Sequence, residues 1–297
     1  MQLFTENGNS SEKTMKIKHF DIRHKAITWH QYSRGNAYPS STATHLERER
    51  FQTNAKGMLS EREFEVDCFL SILQEIKEKR ITLVELGTGW GEWCLALAGV
   101  VTHKIIPIEA KEYSCLAIEG NPFYCECMNK NFTKQGVNCI VENAAVSDHN
   151  GYCGFDIQNA NGSIAFSKVG NSALLGLCFG ALSALRKKTF EVPQYKLGTV
   201  LNMHQLKHID ILHMDIQGSE VKVIEGGFSY INANTIDYML IGTHSEEAHA
   251  ELEFLLKNRY ELVVNALPGK SYSYNGLQLA KFRRGQDGLQ IYKRRGL

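Results

Sequence analysis

The residues best placed to do chemistry lie between Ile81 and Leu97, ITLVELGTGWGEWCLAL. A short apolar run (Ile81, Leu83, Val84, Leu86) carries Glu85 near its end and passes through Gly87-Thr88-Gly89-Trp90-Gly91 into an apolar-periodic stretch. That order predicts a buried parallel strand, a glycine turn, and a helix whose free N–H groups face whatever sits above the turn. Glycines at alternate positions allow φ > 0 and let the main chain approach a ligand with no Cβ in the way. The spacing is G-x-G-x-G, whereas a dinucleotide fingerprint needs G-x-G-x-x-G and would place its last glycine where Glu92 stands. Glu85 would repel a pyrophosphate but can accept hydrogen bonds from an ammonium group. Both features argue against NAD or FAD. They favour a ligand that carries carboxylate and ammonium together, such as the methionine end of S-adenosylmethionine. Glu85, Gly87, Thr88, Gly89 and Gly91 are the candidate binding residues of this turn.

Further candidates stand at the ends of later apolar runs. A second strand should end in a carboxylate able to bind two ribose hydroxyls. Glu109, ending IIPIE, lies at the customary distance of about 20 residues. Glu119, ending SCLAIE, is preferred because Gly120-Asn121-Pro122 and an apolar-periodic helix follow it directly. Residues 100–113 then read as an insertion with a short extra strand. Asn143 and Ala144 lie in a third strand, Asn138–Ser147, where they could meet an adenine edge. Asp148–Gly151 is turn chemistry, joining that strand to Tyr152–Ile157 as a hairpin with His149 in solvent. IDILHMD reads as a strand buried on both faces and ending at Asp215, with His213 two residues earlier on the same side. Ile236–Thr243 is the next strand, and His244 stands at its tip. A hydroxyl acceptor gains from a general base with a pKa near the working pH, which makes His244 the first candidate and His213 the second, as base or supporting residue. Asp215 suits orientation of a cofactor amine or of the acceptor. Glu220 could pair with Lys222 or cap its helix.

These residues need a frame that brings strand ends together. Strands alternating with helices over roughly 200 residues predict an α/β fold with a doubly wound, Rossmann-like, mostly parallel sheet. Glu85, Glu119, Asn143, Asp215 and His244 each close a different strand, and ligands of such sheets sit beyond those ends. Residues 81–297 form the expected domain, with 159–194 as a lid-like insertion and 1–80 as an N-terminal helical extension. Ser60-Glu61-Arg62-Glu63 is a capping box opening a helix over Glu61–Lys79, expected against a sheet edge. Tyr32, Tyr38 and Leu46–Phe51 belong to a prefix that packs or helps to roof the site. Gly218 opens a helix closed by Gly226-Gly227, Ser245 opens another, and Glu261–Asn265 and Leu289–Lys293 are the final strands. Between these last strands runs a glycine-rich loop, Gly269–Gly288, whose Lys281, Arg283 and Arg284 read as a solvated face.

Composition narrows the partners. The chain has 297 residues, 43% hydrophobic and 22% charged, with a net charge of +1. That balance gives no global pull toward nucleic acid or an acidic membrane. The start, MQLFTENGNSSEK, lacks the basic and apolar regions of a signal peptide, and no run approaches the ~20 apolar residues of a membrane span. The eight cysteines sit mostly in apolar context and lack paired C-x-x-C spacing, so no metal ligands are assigned and a reducing cytoplasm is expected. Ser172–Leu185, SALLGLCFGALSAL, is almost wholly apolar and leads into Arg186-Lys187-Lys188. Three readings stand for residues 172–188: a helix over the acceptor pocket, a homodimer contact, or a membrane-surface anchor.

The segments ELGTGWGEW, AIEGNPFYCECMNKNF, ENAAVSDHNG and IDILHMDIQGSEVKVIEGG together resemble the FkbM-type, class I S-adenosylmethionine-dependent methyltransferases over roughly Ile81 to Tyr260. The resemblance implies cofactor binding at Glu85, Gly87, Gly89, Glu119 and Asn143-Ala144. It also implies methyl transfer to oxygen, usually on a sugar, a polysaccharide or a natural-product scaffold. A cofactor-binding scaffold without turnover and a metal-assisted O-methyltransferase holding its ion through Asp215 are the alternatives.

Overall fold

Strands without apolar alternation must be covered on both faces, and the helices between them supply the cover. The computed structural model describes residues 61–104, 106–156, 165–167, 189–268, 273–274, 277–278 and 288–297. Tyr32, Tyr38, Leu46–Phe51, Ser60, Ser172–Leu185 with its basic end, Lys281, Arg283 and Arg284 lie outside the described residues.

The chain begins its described course in α1 (Glu61–Glu75), β1 (Arg80–Leu86), α2 (Glu92–His103), β2 (Glu112–Ile118), α3 (Pro122–Gln135) and β3 (Cys139–Glu142). After an excursion it returns through α4 (Leu197–Met203), β8 (Ile209–Met214), α5 (Glu220–Gly226), α6 (Phe228–Asn232), β9 (Ile236–Thr243), α7 (Glu246–Leu256), β10 (Tyr260–Ala266) and β13 (Gly288–Arg294). The excursion holds β4 (Ala145–Ser147), β5 (Gly151–Asp156), β6 (Ala165–Ser167) and β7 (Thr189–Lys196), and a small pair, β11 (Ser273–Tyr274) and β12 (Leu277–Gln278), precedes β13. The main sheet has the order β10-β13-β9-β8-β1-β2-β3. All its pairings are parallel except those of β13, which runs antiparallel between β9 and β10. The order in which strands are added reverses between β1 and β8, so the crevice for a ligand opens above that pair. This is the expected doubly wound sheet.

Each face of the sheet has its own core. Leu83, Ile211, Tyr238, Leu240 and Ile291 pack under α1, α2 and α3, with Phe69, Leu73, Trp93, Leu97 and Phe132 contributing from the helices. Val84, Leu116, Leu212, Met214 and Met239 pack under α4, α5 and α7, through Val200, Ile224 and Leu252. Ser245 caps α7 by accepting from the Ala248 N–H at 3.0 Å, and Gly227 closes α5, both as the sequence predicts.

Four expectations change. First, α1 lies across a sheet face rather than an edge, because Phe64, Cys68, Phe69, Ile72 and Leu73 are all wholly buried, and a strand edge cannot cover so wide a stripe. Glu75 at its end accepts from Lys293 Nζ at 2.8 Å and Tyr238 Oη at 3.0 Å. Second, the single strand expected over Asn138–Ser147 breaks at Asn143-Ala144. The Asn143 amide donates to Glu119 O at 2.8 Å and to Gly120 O at 3.1 Å, which turns the chain out of the main sheet. Third, β4 and β5 do not pair as a hairpin. Both flank β7 in a second sheet ordered β4-β7-β5-β6; His149 is an exposed turn residue, as expected, and its ring meets Gln194 at 2.8 Å. Fourth, no extra strand forms among the described residues between α2 and β2, since α2 continues to His103.

The second sheet is held close by a glycine. A Cβ on Gly226 would stand 2.4 Å from the Ser147 carbonyl oxygen and 3.0 Å from Asp148 Cα. Gly226→Ala should therefore lower the urea midpoint by an amount equivalent to about 1–3 kcal/mol. In an exposed helix the same change stabilises by roughly 1 kcal/mol, so a raised midpoint would contradict this packing.

Candidate functional site

The turn after β1 sits between the tips of β2 and β8. Gly87 N–H donates to Ile118 O at 3.0 Å, and Gly91 N–H to Thr88 O at 2.8 Å. Gly87, at φ +71°, has the Asp215 carbonyl oxygen 2.4 Å from where a Cβ would be, so the turn touches the end of β8 only because no side chain intervenes. Gly89, at φ +52°, has nothing within 4 Å of that position, and its main chain faces open space. Gly91 meets Phe132 and Met128 of α3 and serves packing.

Glu119 closes the other side. It is almost fully buried; Oε2 accepts from Gly89 N–H and Oε1 from Asn121 N–H, each at 2.8 Å. Burial raises its pKa, with these backbone hydrogen bonds opposing. Glu109 ends no strand. The cleft above is lined by Gly87, Gly89, Glu119, Gly120, Tyr124, Ala144, Asp215, Ile216 and Gln217, and encloses roughly 760 Å³ including its open mouth. Tyr124 packs against Trp90 with ring centroids 4.5 Å apart and planes tilted by 56°, giving the rim an aromatic edge. Tyr124, Ile216 and Gln217 have no counterpart in the sequence reading. The aromatic just inside the Pro122 helix start was the only available signal for one of them.

Several candidates point elsewhere. Glu85 is 2% exposed and turns into the start of α2, where Oε2 accepts from Cys94 N–H at 2.9 Å and Oε1 from Trp93 N–H at 3.3 Å. Burial pushes its carboxyl up to about 8 against those bonds. It is a ligand of the helix N-terminus and does not line the cleft. Thr88 is buried with its hydroxyl on Met128 Sδ at 3.2 Å, and the Asn143 amide is spent on main-chain carbonyls; of that pair Ala144 alone lines the cleft. His213 is 6% exposed beneath Trp93, ring centroids 4.9 Å apart, and does not reach the cleft.

His244 is placed at the rim but not as a base. Nε2 lies 3.2 Å from Asp215 Oδ1 and Nδ1 lies 3.0 Å from Glu220 Oε1. Burial pushes its pKa down, but the hydrogen bonds to Asp215 and Glu220 outweigh this and raise it to about 10. At neutral pH the ring is an imidazolium with both nitrogens donating, so it lacks the free lone pair of a general base. Glu220, fully buried, also accepts from the N–H groups of Gly218 at 3.2 Å and Ile216 at 3.3 Å. His244 thus ties β8, α5 and β9 together beneath the cleft wall.

This bridge has a pH signature. Below 6.5 the histidine is protonated folded or unfolded; between 6.5 and about 10 only the folded chain keeps the proton, so its contribution falls as pH rises. Wild type should exceed His244→Gln by about 2 kcal/mol in urea unfolding at pH 6, with the gap closing toward pH 10. A gap that widens with pH would refute the imidazolium bridge.

Comparison with known proteins fits this geometry. A family described as "Methyltransferase FkbM domain" matches residues 100–262, more than half of the chain, taking in Glu119, Asp215, Glu220 and His244. A protein of Jannaschia sp. (strain CCS1) named "Putative methyltransferase" is 26% identical over 184 residues, 61% of this chain and 62% of that protein, so the match spans under two thirds of the relative's length. Similar solved structures include M. capricolum TrmK in complex with S-adenosyl-homocysteine, 11% identical, covering 80% of this chain and 70% of that one at TM-score 0.35. The C-terminal domain of precorrin-6Y C5,15-methyltransferase from Rhodobacter capsulatus is 12% identical, covering 78% and 89% at TM-score 0.38. With the doubly wound sheet and the glycine turn beneath the cleft, the matched stretch assigns the chain to a family: it belongs to the FkbM-domain methyltransferases.

Proposed function

We propose that the protein transfers a methyl group from S-adenosylmethionine to a hydroxyl of a sugar, polysaccharide or natural-product acceptor. The observation that carries this reading is the Glu119 carboxylate held against the Gly89 N–H at the cleft floor. The site fits the cofactor in two ways. Gly89 leaves an open cradle where a side chain would intrude, and each Glu119 oxygen keeps a lone pair beyond the backbone bond it accepts. The cofactor, when bound, supplies a methyl group already activated on a sulfonium.

The chain's own task is then alignment. Glu119 binds the ribose diol, Ala144 lies along the adenine edge, and the main chain at Gly87 and Gly89 carries the amino-acid end. Asp215, half-exposed at the cleft wall, orients the acceptor hydroxyl, and the His244 imidazolium holds that carboxylate in place. Asp215 and Glu220 do not converge on a common space for a divalent ion, because His244 stands between them. This favours metal-independent transfer. Among the described residues no helix is long and apolar enough to cross a membrane. The reading keeps the expected cytoplasmic setting and a saccharide or small-molecule acceptor rather than nucleic acid.

Calorimetric titration with S-adenosylhomocysteine tests the cofactor. Micromolar binding is expected, weakened at least about tenfold, or 1.4 kcal/mol, in Glu119→Ala and in Gly89→Val. A folded wild type that ignores S-adenosylhomocysteine but binds NADH would overturn the proposal. In an acceptor screen that follows product release, Asp215→Asn should lose roughly 10²-fold in turnover while keeping S-adenosylhomocysteine affinity within about threefold. Equal loss of both would move Asp215 from the acceptor to the cofactor.

A further inference from the structure

Behind the glycine turn, on the face away from the cleft, three cysteines from three elements meet. Cys94 comes from the first turn of α2, Cys115 from β2 and Cys139 from the start of β3, and their sulfur atoms all lie within 4.8 Å of one another. Cys115 and Cys139 are register partners across the β2–β3 pair. Cys94 is wholly buried, Cys115 is buried, and Cys139 is partly exposed at the sheet's edge strand.

We propose that Cys94, Cys115 and Cys139 form a site for a thiophilic cation of the Zn²⁺ class. Tetrahedral zinc bonds thiolate at about 2.3 Å, which separates its sulfur ligands by about 3.8 Å. The observed triangle needs only a small contraction to reach that spacing. A disulfide needs sulfurs about 2 Å apart and would leave the third thiol unpaired. Three thiolates supply three corners of a tetrahedron, and solvent entering past Cys139 supplies the fourth. Cys139, at the edge, gives the ion its way in. The consequence is mechanical. β3 is only four residues long and pairs with β2 alone, and the ion would staple it to the helix that follows the glycine turn. The strand tip that delivers Ala144 to the cleft would be fixed from below.

The test uses the full chain, reduced and freed of metal with a chelator. It is titrated with Zn²⁺ against a chromophoric chelator and separately with Co²⁺ under visible absorption. One equivalent should bind, with sulfur-to-cobalt charge transfer and the intense d–d bands of tetrahedral cobalt. Cys139→Ser should weaken Zn²⁺ binding at least about tenfold, while the Cys125→Ser, Cys127→Ser double variant keeps it. In the wild-type protein, where no variant need fold, Zn²⁺ should slow alkylation of Cys139 and leave that of the comparably exposed Cys127 unchanged. Failure to take up one equivalent would overturn the proposal. So would undiminished affinity in Cys139→Ser, or a mapped disulfide within the triad in place of metal uptake.

Discussion

Two buried carboxylates hold the glycine turn from opposite sides by taking main-chain N–H groups. Glu85 takes those of Trp93 and Cys94 at the start of α2; Glu119 takes those of Gly89 and Asn121 at the start of α3. A turn with positive φ at three glycines is costly to order, and four backbone hydrogen bonds to buried carboxyl groups offset that cost. Everything that lines the cleft is placed relative to this turn. The Asp215 carbonyl packs where a Gly87 Cβ would be, and Gly91 lets α3 close over the turn.

The division of labour between the two carboxylates follows from which way each side chain faces. Glu85 lies on the face covered by α2, and its oxygens find the nearest unsatisfied amides, those of the helix start. Glu119 stands one residue beyond β2, where the chain has already left the sheet, and its carboxylate faces the cleft floor. The same logic separates Asp215 from His213. His213 is inside β8 and stacks under Trp93, whereas Asp215 is just past the strand end and reaches the cleft. In a parallel sheet covered on both faces, only the residue after the last ladder bond is free to meet a ligand.

The His244 bridge illustrates how a buried acid is made tolerable. Glu220 is fully buried and would be strongly destabilising alone, so an imidazolium and two backbone N–H groups surround one of its oxygens. That arrangement exchanges a potential base for a rigid wall behind Asp215. Under the proposed function, alignment dominates displacement at an activated methyl group, and a rigid wall behind Asp215 serves that alignment.

Local pattern alone determined the order of the main-sheet strands along the chain, with Ile236–Thr243 placed to the residue, the Ser245 cap and the glycine turn. These rest on apolar period, turn chemistry and capping, all of which act within a few residues. Tertiary structure alone decided where side chains at those positions turn. Glu119 was one of two readings until its partner Gly89, 30 residues earlier, was in place. His244 read as a base until Glu220, 24 residues earlier, and Asp215 closed on both its nitrogens. The break at Asn143 and the meeting of Cys94, Cys115 and Cys139 likewise depend on strands brought together by the fold. A residue's chemistry is set by its partners' distance and burial, and those partners are remote in the chain. Periodicity can therefore place a residue at the rim without fixing which way its side chain faces.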